Sequence, residues 1–189
     1  MRRKDREMDK DFAYSIIDKS EFGTLATLNE YGTPYCVPIS TARYGDKIYI
    51  HSAYQGRKIE NIKRNPNISM SFVGDVKVPT PITKEEYEKA VSEGGGIGKI
   101  VSKKFTTEFE SAVIFGTVEI VEDKNEKILG LKLISEKYVP ENMPYFEDAI
   151  EASLNRTCVL RIDIKEITGK RKKYNKEGIE MKWGRMDNI

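Results

Sequence analysis

The chain has 189 residues, of which 39% are hydrophobic and 33% charged, a balance that suits one folded globular domain with a well-charged surface. Its 32 basic and 30 acidic residues leave a formal net charge of +2, which argues against a dedicated nucleic-acid binder. No apolar run is long enough to span a membrane.

Residues 1–8 form a charged lead-in with no apolar stretch behind it, so no secretory signal is expected. Asp9 to Lys19 reads as a helix with Phe12, Ile16 and Ile17 as its apolar stripe. Phe22 to Leu28 is a strand, residues 29–32 a turn, and Pro34 to Arg43 a returning strand. Pro38 places that second strand at an edge or a bulge, because proline cannot donate to a ladder. Residues 44–46 turn into a third strand, so an antiparallel meander is expected here.

The third strand carries Ile48, Tyr49 and Ile50 into His51 and Ser52, then a short loop, Gly56, and a helix with Arg57 and Lys58 in its first turn. Free N–H groups and the dipole at a helix N-terminus favour an anion. Two cations and a hydroxyl would add hydrogen bonds to a phosphate. Two readings stand side by side: a phosphate cradle, or an ordinary strand-to-helix connection with solvated charges. The helix, residues 57–64, turns Ile59 and Ile62 inward, Asn65 and Pro66 end it, and residues 67–73 form a fourth strand.

Residues 75–106 differ in texture and read as an insertion. A Thr83-x-x-Glu86 capping box opens a helix to Ser92, and glycines at 94, 95, 96 and 98 follow as a mobile tip. The cluster is not a phosphate loop. A Walker A spacing needs glycine where Glu93 stands and Ser or Thr where Ile100 stands, and a dinucleotide fingerprint needs glycine where Lys99 stands. A flexible loop or a lid over a site are the two readings of it.

Phe109 to Val121 is the longest expected strand, with Ala112, Ile114, Val118 and Ile120 on one face and Phe109, Val113, Phe115 and Val121 on the other. Apolar residues on both faces imply a core on one side and a second layer on the other. Asp123 caps a helix through Tyr138, a short helix lies near Tyr145 to Leu154, and Arg156 to Thr168 alternates as a strand. A basic polar tail from about residue 170 contains Lys170, Arg171, Lys172 and Lys173, with Trp183 and Arg185 beyond. Strands with helices at the hairpin ends fit a small antiparallel barrel.

Cys36 and Cys158 fall in apolar strands without a CxxC, and read as reduced thiols of a cytoplasmic protein. His51 is the only histidine, so a metal site is not expected, and its readings are a ligand contact or a structural role.

Gly23-Thr24-Leu25-Ala26-Thr27, the run from Gly32 to Ile39, Ile48 to Ala53, Gly56-Arg57-Lys58 and Asn65-Pro66 occur in order. Ser111 to Gly116 and Ile167-Thr168-Gly169-Lys170 follow them. This set resembles the pyridoxamine 5′-phosphate oxidase-like, FMN-binding split-barrel superfamily, and within it the nitroimidazole-resistance flavoproteins. The similarity spans residues 12–74 and 106–170.

The resemblance implies a mainly β, antiparallel split barrel and a homodimer with FMN at the subunit interface. It implies that Pro38, Ile39, Ser40 and Thr41 lie along the isoalloxazine ring and that His51, Ser52, Ala53, Arg57 and Lys58 serve the phosphate end. Ser111 would face the cofactor from the partner subunit. The implied activity is that of an FMN-dependent oxidoreductase acting on a small molecule such as a nitroaromatic. The oxidase's substrate-recognition pattern is not evident, so pyridoxamine phosphate is not the expected substrate. Two alternatives come from other classes. One is a non-enzymatic flavin- or haem-binding protein, for which His51 is the only imidazole ligand. The other is a nucleic-acid-associated protein using the basic tail.

Overall fold

The computed structural model describes residues 2–182. A two-residue strand, β1 (Glu7–Met8), precedes helix α1 (Lys10–Lys19), whose N-cap Asp9 accepts a hydrogen bond from the Phe12 N–H. Strands β2 (Gly23–Leu28) and β3 (Pro34–Ile39) form a hairpin, and β4 (Ala42–Tyr44) and β5 (Lys47–Ser52) form another. Helix α2 (Arg57–Arg64) leads into β6 (Asn67–Lys77). The insertion follows as α3 (Lys84–Ser92) and α4 (Gly98–Lys104). Then come β7 (Glu108–Ile120), α5 (Lys124–Tyr138), α6 (Phe146–Ser153) and β8 (Cys158–Lys172).

All eight strands belong to one antiparallel sheet, in the order β3-β2-β6-β7-β8-β5-β4, with β1 on the far end of β8. The architecture is the antiparallel split barrel that the resemblance implies. Ile16, Ile17, Leu25, Ile48, Ile50, Met70, Phe72, Ile114, Leu160 and Ile162 fill its interior. Fully burying each such side chain stabilises the fold by about 1.5–3 kcal/mol. Helix α1 plugs the interior with Ala13, Ile16 and Ile17, and α2 adds Ile59 and Ile62. Helix α5 covers the outer face of the second hairpin, where Ile134 meets Ala42, Tyr49 and Val159. Gly130 is what lets α5 come so close, since a Cβ there would stand 2.9 Å from the Tyr49 ring and 3.0 Å from Val159.

Several expectations need correction. The first three strands are not a meander: β3 and β4 stand at opposite ends of the sheet. Pro38 lies in the edge strand β3, and the chain leaves that edge at Ser40 to start again on the other side. The glycine cluster is followed by a further helix, α4. The basic run is not a tail but the end of β8, where Arg171 and Lys172 are buried opposite Glu110 and Phe109. Among the described residues the second face of β7 is only partly covered: Val121, just beyond the strand, is buried under α5, whereas Phe115 is 52% exposed. Cys158 is buried as expected, whereas Cys36 is exposed on the edge strand. Among the described residues no helix is long and apolar enough to cross a membrane. Trp183 and Arg185 lie outside the described residues.

Candidate functional site

Strand alternation in β5 sends Ile48 and Ile50 into the barrel and Tyr49 and His51 to its outer face. Tyr49 is roofed by α5, and its hydroxyl donates to Glu126 at 2.9 Å. His51 lies one step beyond the roof and is exposed at its outer edge. Ser52 pairs with Cys158 and ends the strand. The loop from Ala53 is exposed and closes on Gly56, whose φ of 109° is a conformation that favours glycine.

Helix α2 starts at Arg57 with no side-chain cap, whereas Asp9, Thr83 and Asp123 cap α1, α3 and α5. Its first N–H groups therefore have no side-chain acceptor, and its dipole points a partial positive charge at the loop. The helix is firmly seated: Ile59 and Ile62 are in the core, and buried Asn61 donates to Thr27 Oγ1 at 3.0 Å.

Arg57 and Lys58 are held on this seat without a counter-ion; among the described residues no carboxylate pairs with either. The Arg57 guanidinium lies 5.5 Å from the centre of the Tyr35 ring, which joins β3 to the start of α2. Burial pushes the Lys58 ammonium below its ordinary pKa. Desolvation, and then the charge of Lys58, push His51 below 6.5, so its imidazole is neutral at pH 7. Burial pushes the Cys158 thiol up, while Lys127 and Lys58 pull it down. The corner is positive, with no carboxylate paired to either cation among the described residues, and its charge and donors suit an anionic group such as a phosphate.

The segment at the end of β3 and just beyond it behaves differently. Pro38 is exposed, and Ile39 and Ser40 are half-buried. Thr41 is 0% exposed, and among the described residues its Oγ1 has no hydrogen-bond partner. The Thr41 N–H donates to Tyr138 Oη at 2.9 Å, and the same hydroxyl lies 3.1 Å from the Thr41 carbonyl and donates to the Glu21 carbonyl at 2.6 Å. Thr41 thus anchors the segment from behind, while residues 38–40 are the accessible ones.

Ser111 is elsewhere. It pairs with Val73 and Lys170, at the opposite end of β8 from Val159, the partner of His51. The Tyr35–Arg57 contact ties β3 to the start of α2, whereas Ser111 lies at the far end of β8.

Three residues beside the site escape the sequence reading: Tyr54, Lys127 and Tyr138. Lys127 is 8% exposed and donates to Tyr54 Oη and to the Leu154 carbonyl, each at 3.0 Å. A lysine on the apolar stripe of a helix, in step with Gly130 and Ile134, is the signal that marks it. A cleft of about 570 Å³ between α5 and α6 also touches Lys127, but its rim carries Glu122, Glu147, Asp148 and Glu151. With these four carboxylates against Lys124 and Lys127, that cleft suits a phosphate less well than the start of α2 does.

The model of the family described as pyridoxamine 5′-phosphate oxidase matches residues 10–171. No curated protein matches the chain. Among solved structures, a candidate 5-nitroimidazole antibiotic resistance protein from Bacteroides thetaiotaomicron superposes with a TM-score of 0.66 at 24% identity, over 87% of this chain and 86% of that one. A FAD and haem binding protein from Mycobacterium smegmatis gives 0.67 at 17% identity, over 88% and 73%. A FAD-binding protein from Mesorhizobium loti gives 0.57 at 18%, over 89% and 98%. These likenesses are in the fold. With the family model spanning the barrel from α1 to the end of β8, the chain belongs to the pyridoxamine 5′-phosphate oxidase family.

Proposed function

We propose that the chain binds flavin mononucleotide and works as an FMN-dependent oxidoreductase on a small aromatic or nitroaromatic molecule. The observation that carries this reading is the pair of seated cations, Arg57 and Lys58, without a counter-ion at the uncapped start of α2. In this reading Arg57, Lys58, Ser52 and the α2 N–H groups hold the phosphate. His51 and Ala53 line its approach, and Pro38, Ile39 and Ser40 flank the isoalloxazine ring. Thr41 fixes the ring segment from within the protein.

A homodimer completes the site, with the partner subunit's Ser111 facing the ring. The distance of Ser111 from this chain's own corner supports that arrangement, as does the exposed Phe115 on β7. The bound flavin would supply the redox chemistry; the side chains bind, orient and exclude water. Among the described residues no carboxylate or thiol at the corner stands out as an acid or base, and chemistry carried by a cofactor does not need one. Both cysteines stay reduced in the cytoplasm, where this reading puts the protein.

The test is an absorbance spectrum of the purified protein, then identification of what heat releases from it. A released FMN, reduced in the protein by NADH or NADPH without oxygen and reoxidised by a nitroaromatic, is the expected result. A colourless protein that takes up no added FMN would falsify the reading. The second reading, flavin or haem binding without turnover, is favoured by His51, whose exposed neutral imidazole is a competent iron ligand. A haem absorption band that survives in His51→Ala removes His51 as the iron ligand, and turnover with any electron donor removes the reading without turnover.

A further inference from the structure

We propose that α5 is a brace that sets the spacing between the two ends of this site. Tyr138 positions the ring segment and Lys127 positions the phosphate loop. The inference rests on the flavin reading above.

At one end, the Tyr138 hydroxyl accepts from the Thr41 N–H and reaches the Glu21 carbonyl, at 2.9 and 2.6 Å. It ties the end of α5 to the turn after α1 and to the step between β3 and β4. That step is where the chain crosses from one edge of the open sheet to the other, so no ladder holds it. Tyr138 stands in for the missing ladder.

At the other end, Lys127 donates to Tyr54 Oη and the Leu154 carbonyl, and among the described residues it pairs with no carboxylate. Tyr54 belongs to the loop between Ser52 and Gly56. Its oxygen accepts from an ammonium, so its phenolic proton is free to donate outward and is polarised to do so.

Between these ends the helix cannot slide. Glu126 accepts from Tyr49, and Gly130 packs against Tyr49 and Val159. Lys127 and Tyr138 lie about 16 Å apart along the axis, by the rise per residue of an α-helix. Neither residue is a catalytic residue; both act through the segments they hold.

The test uses the full chain and the variants Tyr138→Phe, Lys127→Met and Lys127→Arg, with FMN and riboflavin as probes. Tyr138→Phe should weaken both flavins by a similar factor, about tenfold, and shift the visible spectrum and midpoint potential of the bound flavin. Lys127→Met should weaken FMN about tenfold but riboflavin little, with the spectrum unchanged, and Lys127→Arg should restore the preference for FMN. Variants that leave both affinities intact overturn the brace. So do variants that weaken both flavins equally at unchanged spectrum and potential, because a merely structural helix would do that. A wild-type chain that takes up neither probe overturns the flavin reading itself and the brace with it.

Discussion

Two helical attachments hang on the same sheet, and they are attached in opposite ways. Helix α5 buries Ile134 against Tyr49 and Val159 and makes polar contacts to strands and loops far away in sequence. The contacts described for the α3–α4 insertion are mostly local. Thr83 and Glu86 cap each other, and Lys104 bridges to Glu86 at 2.9 Å and to Thr80 Oγ1 at 3.1 Å. Ala90 is the buried hydrophobic residue of α3, while Val91, Ile97, Val101 and Phe105 are exposed, the last by 66%. Local signals are enough to make a helix. Only long-range contacts make a helix that can fix the geometry of something else.

The largest expected effect falls at the corner that α5 braces. Replacing Arg57 and Lys58 together by alanine should weaken FMN about a hundredfold or more, since two charge-assisted bonds go at once. Titration of flavin fluorescence measures it, and an unchanged affinity would move the site away from α2. Next comes a pair of glycines. Gly130→Ala should lower stability by about 1–3 kcal/mol, because its Cβ would meet Tyr49 and Val159 inside van der Waals distance. Gly98→Ala, with nothing within 4 Å, should leave the melting temperature unchanged or slightly higher. Equal melts for the two would dissolve the contrast between the helices.

A smaller effect is expected from pH. His51 titrates below its ordinary 6.5 in the folded chain, so the unfolded chain binds the proton more readily. Without flavin, stability should therefore drop as pH falls through 6.5, and His51→Gln should remove that part of the drop. Bound phosphate should oppose it by favouring the imidazolium. Melts of both proteins at about pH 7.5 and pH 5.5, with and without FMN, read the sign. The smallest effect belongs to Lys104→Ala. Its partly exposed bridge should be worth less than about 1 kcal/mol, and a larger loss would mean that the insertion is anchored more like α5 than its contacts suggest.

What could be read from the sequence follows the same division. Helix α1 with its Asp9 cap, the β2–β3 hairpin with its turn, the capping box at Thr83 and the strand β8 are each written within a few neighbouring residues. The cation pair Arg57 and Lys58 was legible too, since strand, glycine and helix start are contiguous. The separation of β3 from β4 was not. Ser40 and Thr41 look like the middle of one strand, and only the sheet order shows that they cross its opening. Tyr138 was hidden because its partners are Thr41 and Glu21, across most of the chain. Arg171 and Lys172 look like part of a basic polar tail because their charge is local information, while β1, Phe12 and Glu110, which cover or face them, are not.

The edge strand β3 carries a consequence for behaviour in concentrated solution. An open sheet edge invites another chain to add a strand, the first step of many aggregates. A proline in an edge strand sits where its missing N–H would point away from the sheet. Pro34, Cys36 and Pro38 share that parity along β3. An incoming strand would find one outward donor, at Cys36, where three would otherwise stand. Replacing Pro34 and Pro38 would restore that row of donors, leaving the barrel intact while making the protein prone to precipitate.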